Sequence, residues 1–259
     1  MNNNIFTIEL RIIKGVFYVI FSIKLYLQLL HNRKRLRMTG YNYEYLILNI
    51  FMFTLLNLFY LLIFLYLNLS CNIEEYIFSL HSLFLYLLFL YQSTHDPEFK
   101  IKRKLRFLCK MIIILSLFGY SILVIVEFLL KYYTISKNKF FNSSTYLLYM
   151  IMFIHCMKYI PQLRDNYHSK SFYSTNLFII LSNLISHLIL LIFFGIFIFN
   201  NNWLDSQLKF FIIYGIIMTM ISLIFNIGLF IQYFWLYKDH TNDTGNKYFL
   251  NNVLEIQID

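Results

Sequence analysis

The stretches KLYLQLLHN, Lys24–Asn32, and KYIPQLRDN, Lys158–Asn166, decide how this chain is read. They begin 134 positions apart. Each carries Lys, Gln and Asn at i, i+4 and i+8: Lys24, Gln28 and Asn32 in one, Lys158, Gln162 and Asn166 in the other. That spacing lays three polar groups along one slowly drifting face of a helix. At the same offset, Asn49 and Asn183 fall inside the apolar segment that follows each stretch. A duplicated, polar-lined helix pair in a very apolar chain is one way transporters build a site at a repeat interface.

Composition places the chain in a membrane. Of its 259 residues, 59% are hydrophobic and 14% charged, with a mean hydropathy of +0.60. A soluble domain of this length could not hide so much apolar surface. The 29 Phe and 22 Tyr suit lipid-facing and interfacial positions. Cys71, Cys109 and Cys156 have no metal-binding spacing, and a disulfide framework is not expected. The net charge of +9 does not point to nucleic acid, because the basic residues cluster at segment ends. No nucleophile elbow, P-loop or zincin helix is present, so neither an enzyme nor a metal or other cofactor is expected.

Seven apolar segments are expected near 8–30, 44–67, 76–92, 108–130, 145–161, 177–199 and 209–236. Each is close to the roughly 20 residues that cross a bilayer core. The expected fold is all-α and polytopic: two parallel three-helix repeats joined by a linker helix, which restores orientation between them. The implied divisions are 1–92, 93–144, 145–237 and a tail, 238–259. The first segment leads straight into Lys24 and Gln28, so it does not read as a cleaved signal peptide.

Positive charge sets the orientation. The loops after segments one, three and five hold Arg33–Arg37, Lys100–Arg106, and Arg164 with Lys170; the tail adds Lys238 and Lys247. The other side has fewer, at Lys131, Lys137, Lys139 and Lys209. The N-terminus is therefore expected on the lumenal or extracellular side and the C-terminus in the cytosol. The sequons at Asn68 and Asn142 fall on the lumenal side and are candidate glycosylation sites. The loop Lys100–Arg106 is expected to touch anionic lipid headgroups.

Pro161-Gln162 after an apolar helix, followed by Asn166 and Lys170-Ser171, resembles a PQ-loop motif. Three further stretches narrow the resemblance. Phe230–Tyr237 is similar to the last helix of the cystinosin family, and Phe78–His81 to the start of its third. Tyr26–Gln28 with Asn32, Gly40, Leu48 and Asn49 is similar to its first PQ-loop. The resemblance runs from about Tyr18 to Tyr237. It implies a PQ-loop, SWEET-like transporter that exports cystine or a related amino acid from lysosomes with protons, in a lysosomal or endolysosomal membrane. Its implied partners are that small molecule, protons and membrane lipids. Alternatives are an uncoupled amino-acid or sugar facilitator, and a non-transporting PQ-loop cargo receptor.

The chain departs from the family pattern at several places. The family's large lumenal domain before the first helix is not expected here, and Leu27 stands at the first PQ proline. Family aspartates fall on Asn183 and Asn226, and a family lysine falls on Ile151. Family acids fall on Glu75 and Glu44.

The expected substrate-binding set is Asn49, Lys158, Gln162, Asn166, Asn183, Asn226 and Gln28. An amide both donates and accepts, which suits an amino-acid zwitterion, and ordinary interhelical hydrogen bonding is its plainer role. Lys24 could snorkel its long stem to the cytosolic interface. Pro161 is a candidate hinge, or simply the end of segment five. Glu75, Glu44 and His81 are the candidates for proton coupling, although carboxylates near segment ends are commonly solvated, and His81 suits packing equally well. Glu127 most simply pairs with Lys131, one helical turn on. Because asparagine does not titrate in the working range, weak pH dependence is expected, or coupling through Glu75 or His81.

Overall fold

A computed structural model of the chain describes residues 2–35, 42–67, 73–95, 105–133, 143–169, 177–200 and 206–236. Among these residues the fold is all-helical, with no strand. The helices are α1 (Asn2–Arg35), α2 (Tyr43–Leu67), α3 (Ile73–Thr94), α4 (Phe107–Tyr133), α5 (Ser143–Met157), α6 (Tyr159–Ser169), α7 (Leu177–Asn200) and α8 (Ser206–Ile231). A π-helical turn, Gln232–Leu236, follows α8. Asn68, Asn142, Cys71, the loop Lys100–Lys104 and the tail from Tyr237 lie outside the described residues, as do the side chains of Glu127 and Lys131.

Among the described residues, six stretches are long and apolar enough to cross a membrane: Arg11–Leu30, Tyr43–Leu62, Ile73–Thr94, Cys109–Val126, Ile180–Ile198 and Ile212–Ile231. Many of their large apolar side chains face outward, among them Phe84, Ile114, Phe118 and Ile224. Outward apolar faces of this kind belong against lipid, and the chain has multi-pass membrane character. Helix ends reach past the apolar segments where termini favour charge. The first turn of α3 includes Glu74 and Glu75, at the positive end of the helix dipole. The end of α1 carries Arg33, Lys34 and Arg35 at the negative end.

The expected fifth segment differs most. The helix does not stop at Pro161: it breaks at Lys158 and runs on to Ser169. The Lys158 amide still donates to the Ile154 carbonyl at 2.9 Å. Pro161 has no N–H for the Met157 carbonyl, and its ring crowds that carbonyl. The helix therefore restarts at Tyr159 and places Pro161 in its first turn, where a missing N–H costs least. At 15 residues, α5 alone is about 22 Å long, short of a hydrocarbon core of about 30 Å. Leu27 stands at the corresponding position of the first stretch, and α1 runs through it unbroken.

The described residues gather into two compact units. Unit one takes those of Met1–Lys24 and Gln162–Asp259; unit two takes those of Leu25–Met38 and Asn42–Pro161. In unit one α7 packs along α8. The Phe194 ring lies where any side chain at position 215 would be, so Gly215 permits this close approach. Ile180 and Leu229 form a small core there with Leu163, Leu184 and Phe230. In unit two α2 packs on α3 and α5, and α4 packs on α5. Its buried side chains include Leu46, Leu48, Leu85, Phe89, Leu147 and Ile154. Ile151, where the family resemblance puts a lysine, is part of this apolar core.

Candidate functional site

In unit two, Lys158 is buried at the helix break, and its Nζ donates to Asn49 Oδ1 at 3.1 Å. The Met52 sulfur lies 3.6 Å from the same ammonium, and the Tyr159 ring is 5.0 Å away. His155, one turn before Lys158, places Nδ1 3.4 Å from that sulfur. Asn49 Nδ2 donates back along α2 to the Tyr45 carbonyl at 2.8 Å. The break is tied to α2: Asn42 Nδ2 donates to the Pro161 carbonyl at 3.3 Å. Asn42 also caps α2, its Oδ1 accepting from the Glu44 amide at 2.7 Å and the Tyr45 amide at 3.3 Å.

Unit one repeats the pairing with the motifs exchanged. Lys24 Nζ donates to Asn183 Oδ1. Lys24 is 5% exposed, so its stem does not snorkel to the surface, and its ammonium lies 3.8 Å from the centre of the Phe21 ring. Each unit thus joins the lysine of one sequence motif to the asparagine that follows the other. Each pair is flanked by one phenylalanine and one histidine, in opposite placement. Unit one has Phe21 three residues before its lysine and His187 four residues after its asparagine. Unit two has His155 and Phe53 at those positions.

The remaining candidates separate. Gln28 is buried, and its Nε2 donates to Asn32 Oδ1 at 2.9 Å. Among the described residues its Oε1 has no hydrogen-bond partner. Asn226 is buried in unit one and donates to the Ser222 carbonyl at 2.7 Å; its Oδ1 likewise lacks a partner among the described residues. Both are acceptors desolvated without return, which costs about 1–3 kcal/mol each and leaves them suited to a ligand donor. Gln162 is buried in α6. Asn166 is on the same helix, but its side chain lies outside the described residues.

Glu75 accepts from the Tyr60 hydroxyl at 3.1 Å at the start of α3. His81 is half-buried, its ring 5.6 Å from Tyr26. Glu44 corrects the expectation of a solvated carboxylate, being only 5% exposed. Its Oε1 accepts from the Arg106 amide at 2.6 Å, and its Oε2 lies 3.8 Å from the Arg106 guanidinium. The first amides of α4 need acceptors, and the helix dipole favours an anion there. Glu44→Ala should therefore lower the melting temperature of the purified protein by several degrees, for a loss of about 1–2 kcal/mol. Arg106→Ala removes only a half-exposed ion pair and keeps the amide, so it should change the melting temperature by no more than about 2 °C. Equal shifts in the two variants would mean that the guanidinium, and not the helix start, is what Glu44 serves.

Sequence reasoning missed His187 and His155. A duplication search cannot find them, because the residues at the same offset are Phe53 and Phe21. The usable signal was an ionisable residue near the middle of an apolar segment. A scan against protein-family models finds no match for this chain, and a search of curated proteins finds none either.

Proposed function

We propose that this chain is a membrane transporter similar to the cystinosin, PQ-loop family, moving cystine or a related amino acid out of an endolysosomal compartment by alternating access. Its seven crossings are α1, α2, α3, α4, α5 with α6, α7 and α8, arranged as two parallel three-helix repeats with α4 as linker. The N-terminus is lumenal and the C-terminus cytosolic.

The crossed pairing of Lys158 with Asn49 and of Lys24 with Asn183 carries this reading. A buried lysine in a membrane helix costs about 2.5–3.5 kcal/mol on insertion scales, so such residues commonly line a substrate path. The ammonium and the neighbouring amide together match the carboxylate and ammonium of an α-amino acid. Within unit one Asn226 Oδ1, and within unit two Gln28 Oε1, is a further buried acceptor.

Radiolabelled cystine uptake into cells displaying the protein at their surface tests the reading, with cells lacking it as background. Uptake that saturates and is competed by unlabelled cystine is expected. Uptake equal to background at both acidic and neutral pH would remove cystine as the substrate. Orientation has its own test. Cysteines placed at Asn68 and Asn142 should react with an impermeant thiol reagent from the lumenal side, and a cysteine at Arg35 from the cytosolic side. Labelling of all three from one side would overturn the topology.

A further inference from the structure

His187 lies near the middle of α7 and is 7% exposed. Its Nδ1 is 2.7 Å from the Asn183 carbonyl oxygen. A carbonyl only accepts, so Nδ1 carries the hydrogen and Nε2 is the basic nitrogen of the ring. The side-chain oxygen of the same asparagine accepts from Lys24. Two ionisable groups therefore meet on Asn183, one at its backbone oxygen and one at its amide oxygen.

Among the described groups, the neighbour on α7 is the Ser186 hydroxyl, 3.5 Å from Nδ1. From α1 come the Phe17 ring, edge-on at 6.4 Å, and Lys24, with Lys14 and Tyr18 further along that helix. Along 212–231 of α8, which packs on α7, the sequence holds one titratable residue, Tyr214. From α6, which meets α7 through Leu163, come Arg164, Asp165 and Tyr167.

We infer that His187 is a proton-binding group of unit one and that its protonation is linked to carboxylate binding at Lys24. The inference rests on the transporter reading. Two neighbouring cations repel, so a proton on the imidazole and a bare ammonium on Lys24 disfavour each other. A carboxylate on Lys24 cancels the repulsion and favours the proton. By reciprocity, the proton favours the carboxylate by the same factor. A chain with asparagine at 183 and 226 can in this way couple an amino acid to a proton without an acid at either place. In unit two the position matching His187 is Phe53, and His155 places Nδ1 3.4 Å from the Met52 sulfur, which makes it the natural control.

The experiment uses the full chain in liposomes, with labelled cystine and an external pH between about 5.5 and 7.5, bracketing an ordinary histidine. Uptake by the unaltered protein should rise about tenfold toward the acidic end, a coupling within the usual range. His187→Gln can still donate to the Asn183 carbonyl but holds no proton, and should flatten the profile. His187→Asn serves if that variant does not accumulate. His155→Gln, Glu75→Gln and His81→Ala should keep the slope. A slope that survives His187→Gln, or that disappears instead in one of those three, overturns the inference. Absence of cystine uptake at every pH would remove cystine as the substrate instead. Proton binding would then be read from the melting temperature against pH without cystine. A slope lost in His187→Gln supports the site; the same slope in both proteins overturns it.

Discussion

Lys158→Ala should lower cystine uptake by about 10- to 150-fold while leaving the amount of folded protein in the membrane unchanged. If Lys158 holds the substrate carboxylate as proposed, the loss follows from one charge-assisted hydrogen bond, worth about 1.5–3 kcal/mol. Stability is spared because the same change removes a lysine whose burial costs about 2.5–3.5 kcal/mol. Asn49→Ala should behave differently. It keeps the buried ammonium of Lys158 but takes away its 3.1 Å amide acceptor. That costs about 2–3 kcal/mol, so both uptake and abundance should fall. The double variant should regain the abundance that Asn49→Ala loses. Matching abundance losses in the two single variants would show that Lys158 is held for packing, with no charge to compensate.

Exchanging the residues at positions 27 and 161 should have opposite effects on the two motif helices. Leu27→Pro removes an interior hydrogen bond from α1, which is unbroken across this position. The cost is about 3 kcal/mol or more, and little protein should accumulate. Pro161→Leu restores an N–H that can reach the Met157 carbonyl. The turn at Lys158 should then close into one helix, and amide exchange across 157–162 should slow. Uptake should fall about tenfold or more, because the lysine moves away from its acceptor and small misplacements carry large kinetic costs. Unchanged exchange in Pro161→Leu would mean that the break is set by contacts such as Asn42 to the Pro161 carbonyl and not by the proline.

The sequence carried the helices and the polar residues, but not the partnerships between them. Apolar runs located α2, α3, α4 and α7 to within about three residues and α1 and α8 to within about six, because hydrophobic patterning is a local property. The 134-residue offset marked Lys24, Asn49, Lys158 and Asn183. It did not say that each lysine meets the asparagine of the other motif. Spacing along a helix specifies a face; which helix that face meets is decided by packing far away in sequence. Pro161 was legible as a perturbation, yet the break fell at Lys158, because a proline strains the turn before it. Glu44 was misread because burial at a segment end depends on the acceptor needs of α4, an element that begins 63 residues later. His187 was passed over because a search built on duplication sees only what both copies share.

The crossed pairs also impose an order on biogenesis. Lys158 leaves the ribosome 109 residues after Asn49, so its acceptor already exists when it is made. Lys24 precedes Asn183 by 159 residues. At ordinary synthesis rates that interval is roughly 10–30 s, during which α1 must be held with an ammonium that has no asparagine to meet. The early chain is therefore the vulnerable one. A ribosome that stalls between α1 and α7 leaves a membrane segment whose lysine marks it as incomplete, and the nascent chain acquires its own signal of assembly only when α7 enters the bilayer.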